Sequence, residues 1–206
     1  MGDGRTSTRR RRRTPAEAER EILDATESFL RKRPLRELTI DEVMAETSLS
    51  RPAFYVYFRD RHDLVLRLIG ELGAELFEMA DKWLEGTGDP RGNLRAAVEG
   101  VVAAYARHGP VLRALADAAG NDPQVEAAYR GLAERFIDAT ADHIRQETRT
   151  GLITGLNAKR TAAALVWMNE RYLSTCLGHD PRVRPRDVAD TLYNVWLRTL
   201  YLDAPS

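Results

Sequence analysis

Proline recurs in this chain in one setting, at what reads as the opening of a helix: Thr14-Pro15, Asp89-Pro90, Gly109-Pro110, Asp122-Pro123 and Arg184-Pro185. At the first helical position proline gives up only an N–H that has no partner there, and its fixed φ is already helical. Thr14 with Glu17 adds a capping box, in which hydroxyl and carboxylate satisfy two orphan amides reciprocally. Asp60 and Asn157 read as caps of two further helices. Between these starts apolar residues return every three or four positions, and no run alternates convincingly as a strand would. The chain is therefore expected to be all-α, with about nine helices, short connections and no internal repeat.

The stretch Thr39 to Phe58 reads as two short helices joined by a tight turn. Thr39 with Glu42 forms a second capping box, and Ile40, Val43 and Met44 give the first helix one apolar face. Ser50 is the expected N-cap of the second helix, with Pro52 in its first turn. Phe54 and Phe58, four apart, point inward together, which turns Tyr55 and Tyr57 outward. This is the layout of a helix-turn-helix, whose second helix enters the DNA major groove. Tyrosine hydroxyls reach phosphate oxygens, and Arg51 at the helix start reaches a guanine edge or a phosphate. Arg59 and Arg61 add attraction to the backbone. The expected DNA contacts are Thr39, Arg51, Pro52, Ala53, Tyr55, Tyr57 and Arg61.

Leu49-Ser-Arg-Pro-Ala-Phe-Tyr-Val-Tyr-Phe58, followed by Arg59-Asp-Arg-His-Asp-Leu64, resembles the DNA-binding signature of the TetR family of bacterial repressors. The resemblance covers roughly residues 16–70. Ser48 stands where that family usually has glycine in the turn. A shorter stretch, Met168-Asn-Glu-Arg171 with Trp196 further on, is similar to the EthR subgroup. The resemblance implies an N-terminal three-helix reading domain and a C-terminal bundle that dimerises and binds an effector. It also implies repression, and a homodimer on a palindromic operator.

Three segments are expected: an arginine-rich tail, 1–13; a helix-turn-helix domain, 14–63; and an effector and dimerisation domain, 64–206. The tail, with its unbroken run Arg9 to Arg13, is read as disordered. It is either a solvated tail or an arm that follows the DNA backbone or enters the minor groove. The boundary between the domains falls inside one long helix, in which Val65, Ile69, Leu72, Leu76, Met79 and Trp83 form a continuous apolar stripe. From Arg61 to Leu84 that helix runs on the order of 35 Å. Gly70 and Gly73 on it suit a close neighbour or a bend.

The last two helices, near 158–178 and 185–202, are the most apolar. On the first, Leu165, Asn169, Tyr172 and Cys176 share a stripe, with Trp167 and Ser174 nearly opposite. On the second, Val188, Leu192, Trp196 and Leu200 share a face, and Tyr193, Leu197 and Tyr201 another. Helices apolar on two faces are covered on two sides, so Trp167, Ser174, Tyr193 and Leu197 are the expected dimer contacts. These helices also resemble the family's four-helix dimer interface. Asn169, in the middle of an apolar stripe, is either a structural hydrogen bond to a neighbouring helix or a polar anchor in a ligand pocket. In the EthR-like pattern the matching asparagine faces such a pocket, and Val166 replaces a second asparagine. Trp83, Tyr105, Phe136, Tyr172 and Trp196 are the candidate aromatic walls.

Composition excludes more than it assigns. Lys+Arg and Asp+Glu both total 31 in 206 residues, so any DNA affinity is local rather than global. No Ser/His/Asp order, paired carboxylates or phosphate-cradling glycine loop supports catalysis, and no cofactor or metal is expected. His143 and Glu147 have the spacing of a metal pair but read as a solvated face. Cys176 is the single cysteine and reads as a core residue. No apolar run approaches the ~20 residues of a membrane span, and no signal segment follows the N-terminal arginines, so a cytoplasmic location is expected. The main reading is a regulator of operator DNA released by a small apolar effector. The alternatives are a DNA-binding protein with a filled C-terminal core, and an enzyme carrying a helix-turn-helix.

Overall fold

The computed structural model describes residues 14–179 and 183–201; the arginine-rich tail lies outside them. Among the described residues there are eight α-helices and no strand: α1 Pro15–Leu30, α2 Ile40–Ala45, α3 Arg51–Tyr57, α4 Arg61–Leu84, α5 Pro90–Ala119, α6 Pro123–Arg149, α7 Ala158–Leu177 and α8 Pro185–Tyr201. A single 3₁₀ turn, Leu35–Glu37, links α1 to α2. The capping logic holds at most starts. Thr14 forms both bonds of its box with Glu17, and Asp60, Asp89, Asp122 and Asn157 each accept backbone N–H bonds through their side chains.

Two expected starts differ. Gly109-Pro110 opens no helix, because α5 runs unbroken through it for 30 residues. Glycine has no Cβ to clash with the following proline ring, which relaxes the usual bias against helix before proline. Gly109 also lets the end of α7 approach: a Cβ there would lie 2.1 Å from the Leu177 carbonyl oxygen. This merged helix brings the count from nine to eight. Ser50 has the extended backbone of an N-cap but makes no side-chain cap bond. Pro52 has no N–H to offer it, and the Ala53 N–H already donates to the Ser50 carbonyl at 2.9 Å.

The stripe on α4 is buried at Val65, Ile69, Leu72, Leu76 and Trp83, with Met79 half-buried. Gly73 sits against α6, where a Cβ would lie 2.6 Å from Leu132 Cδ1, while Gly70 faces open space. One apolar cluster runs from Ile22 in α1 to Tyr201 in α8, so the core is continuous from head to body. Polar bonds cross the same junction. Glu27 of α1 receives His108 of α5 at 2.9 Å, whose other ring nitrogen stands 3.2 Å from Glu75 of α4. His62 at the start of α4 contacts Asp122, the cap of α6, at 3.0 Å. Burial pushes the Asp122 carboxyl up, but the Val125 and Gln124 amides and His62 outweigh it, and it titrates below the usual range.

Candidate functional site

In the helix-turn-helix, packing decides which side chains remain available. Phe54 and Phe58 are fully buried with ring centroids 5.4 Å apart, as their spacing required. That leaves Tyr55 50% exposed and Val56 75% exposed on α3. Arg51 and Pro52 are exposed, Ala53 and Tyr57 half-buried. Tyr57 thus packs partly against the core rather than standing clear of it. Val56 was not among the sequence candidates. Its exposure was legible, since a valine that cannot share the phenylalanine face must lie outside.

The turn is held in a way that its missing glycine did not foretell. No described non-glycine residue has positive φ, so Ser48 needs no left-handed backbone. Its N–H and hydroxyl both donate to Glu21 Oε1 of α1, at 2.6 and 2.8 Å. The Thr39 hydroxyl accepts from the Glu42 N–H at 3.2 Å and donates to its carboxylate at 2.9 Å, so its bonding is spent locally. Arg61 donates to the Leu38 carbonyl at 3.4 Å and ties α4 to the head. Arg51 pairs with Asp41 of α2 and lies 5.7 Å from the Tyr55 ring centre, and Arg59 pairs with Asp63 at 3.3 Å. Exposed pairs of this kind are weak and screened by solvent, so phosphate can exchange for the carboxylate at little cost.

The body holds a cavity of about 120 Å³, partly open to its surroundings. Of the candidate walls, Trp83, Tyr105, Phe136, Asn169 and Trp196 line it; Tyr172 is half-buried on α7 and does not. The Trp196 indole N–H donates to Asn169 Oδ1 at 2.9 Å. The asparagine thus makes the structural bond and lines the cavity at once. Val166 lines it too, in the place of the second asparagine. Sequence reasoning missed Tyr129 and Glu170. They come from α6 and α7, and the Tyr129 hydroxyl donates to Glu170 Oε1 at 2.8 Å. Burial pushes the Tyr105 and Tyr129 phenols far above the usual tyrosine range, and the Glu170 charge adds to it, so both stay neutral.

Beneath the cavity lies a polar knot. The Trp83 indole donates to the Tyr201 hydroxyl at 3.1 Å, and that hydroxyl donates to Glu147 Oε2 at 2.6 Å. His143 Nε2 stands 3.1 Å from the same carboxylate. His143 and Glu147 are 2% and 3% exposed, so they are not a solvated face. The helix is polar on average, but this pair lies on its inner side against Trp83, whose ring centre is 4.0 Å from that of His143. Among the described residues no group of three or more His, Cys, Asp or Glu is placed to hold a metal ion. No described helix is long and apolar enough to cross a membrane.

Of the expected dimer contacts, Trp167 is 42% exposed and Tyr193 and Leu197 are half-buried, but Ser174 is 6% exposed within its own subunit. Trp167 and Ser174 lie one heptad apart and share a face, yet the subunit covers only one end of it. The stretch of α5 from Gly109 to Arg113 packs against the last turn of α7.

A small head presenting a helix-turn-helix, on a helical body with an interior cavity, defines the class of DNA-binding regulators. The family described as bacterial regulatory proteins, tetR family, matches residues 22–68. The C-terminal domain of the transcriptional regulator EthR matches residues 94–202. The chain is 30% identical over 206 residues to the HTH-type transcriptional regulator EthR of Mycolicibacterium smegmatis, covering 98% of this chain and 95% of that one. A TetR-family regulator structure from Rhodococcus sp. superposes with a TM-score of 0.71 at 20% identity, covering 89% of this chain and 99% of that one. The structure of AibR with isovaleryl coenzyme A and operator DNA gives 0.68 at 16% identity, covering 87% and 97%. The chain belongs to the TetR family, in its EthR-like branch. It is a transcriptional regulator with a DNA-binding domain.

Proposed function

We propose that the protein is a repressor that binds a palindromic operator as a homodimer and is released when a small effector enters the cavity. The observation that carries this reading is that α4 adjoins both sites: only three residues separate it from α3, and it contributes Leu76, Ala80 and Trp83 to the cavity wall. An occupant that presses on these side chains favours a different placement of α4, and with it a different spacing of the two heads. By linkage, DNA then weakens effector binding by the same factor. The open cavity argues against a filled core. The related AibR, crystallised with both an acyl coenzyme A and operator DNA, supports two ligands on one such fold.

In this reading Arg51, Ala53, Tyr55 and Val56 meet bases or adjacent phosphates, and Pro52 fixes the start of the helix. Thr39, Tyr57 and Arg61 border the backbone contacts, with Thr39 and Arg61 serving mainly to hold the head's shape. Trp167, Tyr193 and Leu197 form the dimer seam. The head, residues 14–63, and the body, 64–206, act as two units joined by α4. The test is selection of genomic fragments by the purified protein at about 0.15 M salt, where non-specific phosphate attraction is largely screened. Enrichment of one palindrome supports the reading. Recovery of DNA with no shared sequence overturns it.

A further inference from the structure

Resting on the reading of the cavity as an effector site, we propose that its occupant is an amphipathic organic cation, an amine or ammonium whose head pairs with Glu170 and whose apolar body lies along Trp83, Phe136 and Trp196. Glu170 is the one charged side chain of the described lining. It makes no ion pair among the described residues, and its single hydrogen-bond donor there is the Tyr129 hydroxyl at 2.8 Å. A carboxylate has about four acceptor sites, so most of its capacity is unused. Oε2 in particular has no donor among the described residues.

The surroundings fix the sign of the missing partner. Both neighbouring phenols stay neutral, so the Tyr129 hydroxyl donates a hydrogen bond but brings no opposite charge. Glu170 is half-buried, and a charge on the wall of an apolar cavity is stabilised by a partner of opposite sign. An anionic ligand places a second negative charge beside it in a medium of low dielectric, where repulsion is strong. A neutral ligand adds no opposite charge to the Tyr129 hydroxyl that the carboxylate already has. A cation pairs with the carboxylate and meets the negative faces of aromatic rings, with Trp83 and Trp196 set edge to face at 5.4 Å. Asn169, whose Oδ1 is taken by Trp196, has an amide nitrogen without a partner among the described residues. It can donate to a polar atom further along the same ligand.

The probes are three molecules of one shape and three charges: 4-phenylbutylamine, 4-phenylbutanol and 4-phenylbutyrate. Binding to the full chain is followed at pH 7 by calorimetry, with tryptophan fluorescence as a second readout. The expected order is amine over alcohol by at least about tenfold, as for a charge-assisted hydrogen bond, with no measurable binding of the acid. E170Q is expected to keep the alcohol affinity and to erase the preference for the amine. Val101→Phe, which fills the cavity, is expected to weaken amine and alcohol together.

Each other outcome decides against the proposal. Alcohol or acid binding as tightly as amine overturns the cation while leaving the effector cavity standing. An amine preference that survives E170Q removes Glu170 from the site. Binding unaffected by Val101→Phe, or no binding of any probe, overturns the cavity reading and the cation with it. Should E170Q fail to fold, the order of the three probes on the unaltered protein still decides.

Discussion

Tyr201→Phe isolates the buried knot, because it removes one oxygen and leaves the ring that packs there. Three groups then lose a contact: His143 Nε2, 3.4 Å from the hydroxyl, the Trp83 indole and the Glu147 carboxylate, of which the last two carry most of the cost. The Trp83 indole N–H, donating at 3.1 Å to a hydroxyl that no longer exists, is left unsatisfied at a site 3% exposed. That costs about 1–3 kcal/mol. The Glu147 carboxylate loses a hydrogen bond of 2.6 Å and keeps only His143 at 3.1 Å. A hydrogen bond to a charged group is worth about 1.5–3 kcal/mol. Sparing the hydroxyl its own desolvation returns a little, so the net loss is about 3–5 kcal/mol, a large part of a typical folding free energy. For a chain of this size each kcal/mol moves the melting temperature by roughly 2–4 °C, so a fall of about 6–20 °C is expected.

Scanning calorimetry of both proteins at one concentration reads this directly, since any association shifts the midpoint by mass action. Trp83→Phe in the same background supplies the control. Once the tyrosine oxygen is gone the indole has nothing to donate to, so the two changes together should cost less than their sum by about 1 kcal/mol or more. A Tyr201→Phe protein that melts within about 2 °C of the parent would mean that water enters the knot and replaces the hydroxyl. Full additivity with Trp83→Phe would mean that the indole bond contributes nothing. Either result refutes the energetic reading of this site.

Tyr55→Ala should lower operator affinity by more than tenfold in a fluorescence anisotropy titration while sizing unchanged; retained affinity removes α3 as the reading helix. Trp167→Glu should give monomers on size exclusion, and an unchanged elution volume excludes that face from the seam. Gly109→Ala puts a Cβ 2.1 Å from the Leu177 carbonyl, a backbone atom that cannot swing away, so a loss of about 1–3 kcal/mol is expected in urea unfolding. Burial raises the phenols of Tyr105, Tyr129 and Tyr201 above their unfolded values. A raised group stabilises fully below its unfolded value near pH 10 and loses that contribution as pH climbs further. Stability should therefore fall above about pH 10, with much of the phenolate absorbance appearing only as the chain unfolds; a smooth rise in the folded protein would contradict it.

Most of the fold was legible because its determinants are local. A capping side chain and its amide lie two or three residues apart, so Thr14, Asp60, Asp89, Asp122 and Asn157 announce their helices without reference to anything distant. The missing cap bond at Ser50 is local, the work of Pro52, but two other features depend on long range. Gly109-Pro110 looks like a start until one knows that the Leu177 carbonyl lies against it, 68 positions later in the chain. Ser48 looks like a misfit until Glu21 is brought across from α1 to hold its N–H and hydroxyl.

The sites divide along the same line. The exposed face of α3 was legible since a seven-residue helix with Phe54 inward and Phe58 closing its end has few ways to present the rest. Periodicity names a face but not which end of it is covered, and so Ser174 was grouped with Trp167. The cavity was half legible: large aromatics of one domain were gathered correctly, apart from Tyr172, while the chemistry at its polar end was not. Tyr129 and Glu170 are 41 positions apart on different helices, and either alone on its helix is an ordinary amphipathic residue. Only their meeting beside Asn169 turns an apolar void into a cavity with a sign, and that sign, more than the volume, distinguishes one candidate effector from another.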